Sequence, residues 1–140
     1  MRKAAIGVVT VVVAVVAAIG AAPRVDNGQA RNKLEGTWEH TFEDEPRLRQ
    51  IKVINQDHFI WVTYDQESKS PVTAAGGTYT LEGDTYKERV EFGRFGTREL
   101  QEVVGKEQTF QVEVSGDTML QTGTLSNGQR LKEVWKRVKP

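Results

Sequence analysis

A chain of 140 residues, of which 38% are hydrophobic and 27% charged, is long enough for one globular core and too short for two. Basic and acidic residues both number 19, and no basic stripe marks a nucleic-acid surface. Cysteine is absent, which excludes disulfides, thiolate metal sites, a cysteine nucleophile and lipid attachment through cysteine.

The first predicted element is an N-terminal leader over residues 1–22. Arg2 and Lys3 precede an apolar run, which is the arrangement of a secretory signal. The run is almost long enough to cross a bilayer, so an uncleaved membrane anchor is the alternative. Residues 23–33 are polar and contain glycine, which predicts a flexible linker. We expect an exported protein, periplasmic or secreted, that meets a membrane only if the leader is not cleaved.

The rest of the chain, 34–138, predicts one all-β domain, because short segments of β-forming residues alternate with turn signals such as Asn127-Gly128. Eight strands are predicted, and their ranges are A 34–42, B 48–55, C 58–65, D 77–82, E 85–95, F 107–114, G 118–125 and H 129–138. Strand C is preceded by a turn at 56–57 and followed by a loop over 66–76.

The faces of two strands bear on what lies inside. In strand B, Ile51 and Val53 share one face and Lys52 lies on the other. Strand C carries large apolar residues on both faces: Phe59 and Trp61 on one, and Ile60, Val62 and Tyr64 on the other. Its pattern therefore leaves open which face is inside.

One short helix is predicted between strands E and F, over 97–104. Leu100, Val103 and Val104 fall at the i, i+3 and i+4 spacing of one helix face. A short apolar face must pack against something. We expect these three residues to form a lid over the open end of the barrel.

Short turns predict that sequential strands pair antiparallel. An open eight-stranded meander would leave two unpaired edges, and closure between the first and last strands removes them. The sequence therefore predicts an eight-stranded antiparallel up-and-down barrel with room for side chains or one small ligand.

Little in the sequence points to catalysis or metal binding. His40 and His58 lie on different strands without the spacing of metal ligands, and no serine lies in a nucleophile elbow. The glycines at 76–77 and 93–96 are typical of turns and bulges. No catalytic residue, metal or cofactor is predicted.

Polar residues on predicted inward faces are better candidates. Glu88, Gln121 and Glu133 each fall among apolar residues of their strands. A buried carboxylate is costly unless paired, so we expect Glu88 or Glu133 to meet Arg137, a tyrosine hydroxyl, water or a ligand. The alternatives are that these faces are wet or already neutralised, that they orient a ligand, or that the two carboxylates act as acid and base.

Several motifs carry a resemblance to a known family. Gly36-Thr37-Trp38 resembles the Gly-x-Trp motif of the lipocalin (calycin) superfamily, and Arg137 occupies the place where that superfamily packs an arginine over the tryptophan. Further motifs are HFIWVTYD at 58–65, GGTYTLEGDTY at 76–86, GKEQTF at 105–110 and SNGQRLKEVWKRV at 126–138. Together they resemble a family of small exported bacterial lipocalin-like domains of unknown function. The resemblance implies a calycin-like barrel and, by analogy alone, binding of a small apolar molecule.

Three functional hypotheses follow. The first is an exported barrel that binds a small hydrophobic or amphipathic ligand, and its residues are Trp61, Tyr86, Phe92 and Trp135 as walls, Glu88, Gln121 and Glu133 as polar groups, Leu100, Val103 and Val104 as lid, and Trp38 and Arg137 as structural closure. The second is a packed barrel that acts as a cell-envelope interaction module through the outer face of strand C. The third, an isomerase or hydrolase that uses Glu88 and Glu133, is least favoured. The sequence leaves ligand identity and oligomeric state open.

Overall fold

The computed structural model describes residues 32–140, and of Glu99 and Leu100 only the backbone. The leader and nearly all of the predicted linker lie outside the described residues, so export stays a prediction. Within the described part, none of the helical structure is long and apolar enough to cross a membrane.

Eight antiparallel strands follow one another around a closed barrel, and the first strand pairs with the last. The strands are β1 (Gly36–Thr41), β2 (Leu48–Asn55), β3 (His58–Asp65), β4 (Pro71–Glu82), β5 (Thr85–Arg94), β6 (Glu107–Ser115), β7 (Thr118–Thr124) and β8 (Arg130–Arg137). The predicted all-β class, strand number and closure are confirmed.

The fourth strand begins earlier than predicted. We expected a loop over 66–76, whereas β4 starts at Pro71 and pairs with β3 through Thr73, Ala74 and Ala75. Pro71 stands at the first strand position, where a missing backbone donor is tolerated. Small residues carry a weak strand signal, yet Ala75 lies opposite the bulky Trp61, so the pair fills the space that two large side chains could not share.

The eight-residue amphipathic helix predicted over 97–104 is not confirmed. The connection between β5 and β6 holds one four-residue helical turn, Arg98–Gln101 (α1), followed by non-helical turns. The Gln101 amide accepts from the Phe95 N–H and donates to the Gly93 carbonyl, both at 3.2 Å. The Gly105 N–H donates to the Val90 carbonyl at 2.7 Å. These bonds, and not a run of helix, tie the connection to β5.

A β-bulge in β5 reverses the side-chain alternation along that strand. Gly77 pairs with Val90 and Gly76 with Phe92, so Glu91 is the extra residue. A Cβ at Gly77 would lie 2.0 Å from the Arg89 carbonyl oxygen, so only glycine permits this approach. The prediction that Phe92 is a wall inside the barrel was wrong, because it assumed a strict alternation of side chains along the strand, and the extra residue breaks that alternation. Phe92 lies outside the barrel and is 55% exposed.

The two ends of the barrel differ in content. The lower end, which holds the β2–β3, β4–β5 and β6–β7 turns, is filled by large buried side chains: Leu34, Trp38, Ile54, Phe59, Tyr79, Tyr86, Val112 and Met119. The upper end holds the other connections, including α1. Dense packing below leaves the upper half of the interior as the place for a site.

Candidate functional site

A cavity of about 300 Å³ occupies the upper interior. This volume is at the small end of the range of ligand pockets, about 300 to 1,000 Å³. Its walls are largely apolar, and the apolar members are Phe42, Leu48, Trp61, Val72, Val90, Phe95, Val103, Phe110, Leu125, Leu131 and Trp135. A small apolar molecule in this cavity would have most of its surface buried against these side chains.

Four polar residues from four strands, here called the polar cluster, line the same cavity: Lys52, Glu88, Gln121 and Glu133. The Lys52 Nζ lies 2.5 Å from Glu88 Oε1 and 3.2 Å from Gln121 Oε1. The Tyr86 hydroxyl donates to the same Glu88 oxygen at 2.8 Å. Two donors therefore already hold the Glu88 carboxylate.

Aromatic rings surround the Lys52 ammonium group. Its Nζ lies 5.2 Å from the ring centroids of Tyr86 and Trp135, and 5.7 Å from that of Phe59. The electron-rich ring faces attract a cation, and each contact contributes roughly 0.5–2 kcal/mol depending on its desolvation. Lys52 is thus stabilised by protein groups although it is only 2% exposed.

Glu133 is less well compensated. The Trp135 indole N–H donates to its Oε2 at 3.1 Å. Burial raises the pKa of Glu133, while the positive charges of Lys52 and His40 act in the opposite direction and the Glu88 carboxylate adds to the rise. A carboxyl group in this position favours a further hydrogen-bond donor or cation.

Gln50 adds an unused acceptor to the cavity lining. The side chain is 7% exposed, and its Oε1 accepts no hydrogen bond from any residue within 32–140. A buried amide oxygen without a donor costs about 1–3 kcal/mol. A ligand with a donor group would remove that cost.

Most of the residues predicted to bind ligand come together around this cavity. Trp61, Glu88, Gln121, Glu133 and Trp135 all line it. Tyr86 does not line it and supports Glu88 from the packed lower end. Phe92 lies on the outer face of the barrel and does not line the cavity. Contact with a ligand stays a prediction for each of them.

The three predicted lid residues have different positions. Val103 is buried and lines the cavity, and Val104 is partly buried against the core. The side chain of Leu100 lies outside the described part of the structure. Control of ligand exchange by this segment stays a prediction.

Arg137 lies over Trp38, with the guanidinium carbon 4.1 Å from the ring centroid. Its Nη1 donates to the Glu35 carbonyl at 2.6 Å and its Nη2 to the Lys33 carbonyl at 3.1 Å. Arg137 is therefore engaged at the lower end and is not the partner of Glu88 or Glu133. Among the partners expected for a buried carboxylate, the one that Glu88 has is a tyrosine hydroxyl, that of Tyr86.

Sequence reasoning missed Lys52 and Gln50 as interior residues, because the apolar face of Ile51 and Val53 drew attention to the other side of β2. Val53 is in fact 41% exposed. The two-residue turn after β2 could have predicted the inward position of Lys52, because it fixes the register between β2 and β3. It sets Lys52 opposite Trp61 and Ile54 opposite Phe59, and directly paired residues share a face of the sheet.

Residues 33–140 match the model of a family described as "Domain of unknown function (DUF4488)". A comparison with curated proteins finds no match. The family match covers the whole barrel, and the family's description states no activity.

Proposed function

The chain belongs to the DUF4488 family, and we propose that it is a lipocalin-like barrel that binds one small hydrophobic or amphipathic ligand in its interior. The observation that carries the proposal is the cavity of about 300 Å³, with apolar walls and the polar cluster. Apolar burial supplies affinity in such pockets, and a few fixed polar groups supply orientation.

The apolar walls of the cavity support an apolar ligand. A ligand body packed against them removes apolar surface from water, and each Å² removed contributes roughly 25 cal/mol.

The position of Val103 supports a route for the ligand. It lines the cavity from the β5–β6 connection, which joins these two strands at the upper end of the barrel. In the proposal the ligand enters and leaves past this connection. The lower end is filled by large buried side chains.

Native mass spectrometry of the full chain, before and after solvent extraction, tests the proposal. We expect a small-molecule adduct that extraction removes. Leu131→Trp should abolish the adduct, because Leu131 lines the cavity and a larger ring would fill it. Val134→Trp is the matched control, since Val134 lies on the same strand and is 47% exposed on the outside.

An NMR titration with octanol covers the case in which the natural ligand is lost during purification. Octanol should shift the amide signals of cavity-lining residues in the wild type and in Val134→Trp, but not in Leu131→Trp. If the wild type shows neither an adduct nor these shifts, ligand binding is excluded for this cavity.

The second candidate is an interaction module, and the outer face of the barrel favours it. Val53, Ile60 and Phe92 are all more than two-fifths exposed and line one shallow groove. Concentration-dependent association without octanol binding would favour this candidate. The third hypothesis, an enzyme, has less support because Lys52 and Tyr86 both already occupy one oxygen of Glu88.

A further inference from the structure

We propose that the ligand is a cationic amphiphile, with an apolar body between the cavity walls and a protonated amine that Glu133 and Gln50 receive. This inference rests on the proposed function, because it names the class of ligand for the same cavity. Two observations support it: the cavity lining has more carboxylates than cations, and the buried Gln50 Oε1 accepts no hydrogen bond within the described residues.

The charges of the lining do not balance. Within the described residues, Lys52 is the one cation in the cavity lining, whereas Glu88 and Glu133 are two carboxylates. Lys52 and Glu88 form an ion pair at 2.5 Å, and both side chains are almost fully buried. Glu133 is the charge that remains, so a cationic group would complete the balance.

The hydrogen-bonding groups point the same way. Gln50 Oε1 is buried with no donor, and the Glu133 carboxylate accepts at Oε2 from Trp135 alone among the described residues. Both groups are acceptors. A protonated amine carries several N–H donors and a positive charge, which suit both acceptors, and charged hydrogen bonds are stronger than neutral ones.

An anionic head group fits the cavity poorly. The natural partner of a ligand carboxylate would be Lys52, but its ammonium is already held by Glu88 and Gln121 and surrounded by three rings. A carboxylate placed there would also lie near two carboxylates of the same sign. Repulsion between like charges in a poorly solvated site is costly.

The pKa of Glu133 agrees with this geometry. Burial raises it above the ordinary value of 4.5, so the charged form of Glu133 is less favourable inside the barrel than it is in water. The charged groups that act on Glu133 are Lys52 of β2, His40 of β1 and Glu88 of β5. An ammonium group beside Glu133 would favour the charged form and lower the pKa again.

Three probes of equal chain length test the inference on the full chain: octylamine, octanol and octanoate, each titrated at pH 7 and followed by NMR. We expect octylamine to bind about tenfold more tightly than octanol, which corresponds to about 1.4 kcal/mol. Octanoate should bind more weakly than octanol. The signals of Gln50 and Glu133 should shift with octylamine, and the pKa of Glu133 should fall when octylamine is bound.

Glu133→Gln should reduce octylamine affinity about tenfold and leave octanol affinity within about twofold, because the variant removes the charge and keeps the shape. Glu113→Gln is the control, since Glu113 is an exposed glutamate on the outer face of β6 and its loss should change neither affinity. Gln50→Leu provides a second variant if Glu133→Gln does not fold, and it should weaken octylamine more than octanol.

Equal binding of octylamine and octanol, or tightest binding of octanoate, would overturn the cationic ligand and leave the proposed function intact. An unchanged pKa of Glu133 in the octylamine complex would also overturn it. Failure of all three probes, together with the absence of an extractable adduct in native mass spectrometry, would instead remove the proposed function itself. The two proposals therefore fail in different ways.

Discussion

Lys52 is an ammonium group buried in the middle of a barrel that is otherwise mostly apolar. Removing such an ion from water costs several kcal/mol, and here the cost is offset by Glu88, Gln121 and three aromatic rings. The compensation depends on both members of the ion pair being present. Lys52 and Glu88 therefore contribute to stability as a unit and not as two separate residues.

Loss of one member of this pair should be far more harmful than loss of both. We expect Lys52→Met to lower the free energy of unfolding by about 3–5 kcal/mol, because it leaves the Glu88 carboxylate buried with only the Tyr86 hydroxyl. The double variant Lys52→Met/Glu88→Leu should recover most of that loss, since neither charge remains. Thermal melts of the three proteins measure the difference.

Lys132→Met is the control for the loss of a lysine as such, because Lys132 is exposed on β8. Its melting temperature should stay close to that of the wild type. If the double variant is no more stable than Lys52→Met, the two residues do not contribute to stability as a unit.

At the scale of single residues, the sequence predicted which carboxylates and amides face inward on β5, β7 and β8, because clean alternation places Glu88, Gln121 and Glu133 among apolar neighbours. It did not predict Lys52. A charged residue beside two β-branched residues has the pattern of a solvent-facing position, and only the partner across the strand pair reveals that it points inward.

At the scale of the element, β5 shows how one extra residue changes a face. The alternation holds through Glu88 and Val90, and the bulge at Glu91 then directs Phe92 to the outside. The ring of Phe92 covers Gly76, where an added Cβ would lie 2.5 Å from the ring atom Cζ. The glycines at 76–77 predict a turn or bulge from the sequence. Which residue of β5 is the extra one is determined only by the pairing between β4 and β5.

Gly77→Ala tests whether the bulge is imposed by the missing side chain. The new Cβ would meet the Arg89 carbonyl oxygen and the Glu91 nitrogen at 2.0 and 2.9 Å, and both are backbone atoms that cannot rotate away. We expect a loss of about 1–3 kcal/mol in the free energy of unfolding, measured by urea denaturation. Amide shifts of β5 around the bulge should change in NMR spectra.

Gly96→Ala serves as the matched control, because a Cβ at Gly96 meets no heavy atom within 4 Å. It should change the free energy of unfolding by less than about 0.5 kcal/mol. Equal effects of the two changes would mean that the close approach at Gly77 relaxes at little cost.

At the scale of the whole molecule, the seam between β1 and β8 is the narrowest junction of the barrel. Only Trp38↔Arg137 and Glu39↔Lys136 are in register there, whereas β1 and β2 share six such pairs. Closure could be predicted from the sequence because two open edges are costly. The cavity could not, because its volume depends on how twenty side chains from several strands pack together.

Arg137 compensates for this short seam. It covers the Trp38 ring and bonds two carbonyls that precede β1. Its Nη1 lies close to Gly36, where an added Cβ would be 2.5 Å away. The Val138 N–H adds a bond to the Thr37 carbonyl at 2.8 Å. The end of the last strand is thereby fixed to the beginning of the first.

Arg137→Leu should therefore loosen the seam before the rest of the barrel. We expect the free energy of unfolding to fall by about 1–3 kcal/mol and amide hydrogen exchange to rise first in β1 and β8. Arg137→Lys should not restore the wild type, because an ammonium group cannot lie flat on the indole and reach both carbonyls. Arg130→Leu, an exposed arginine at the other end of β8, is the control. If Arg137→Leu raised exchange evenly around the barrel, closure would depend on the core as a whole and not on this clamp.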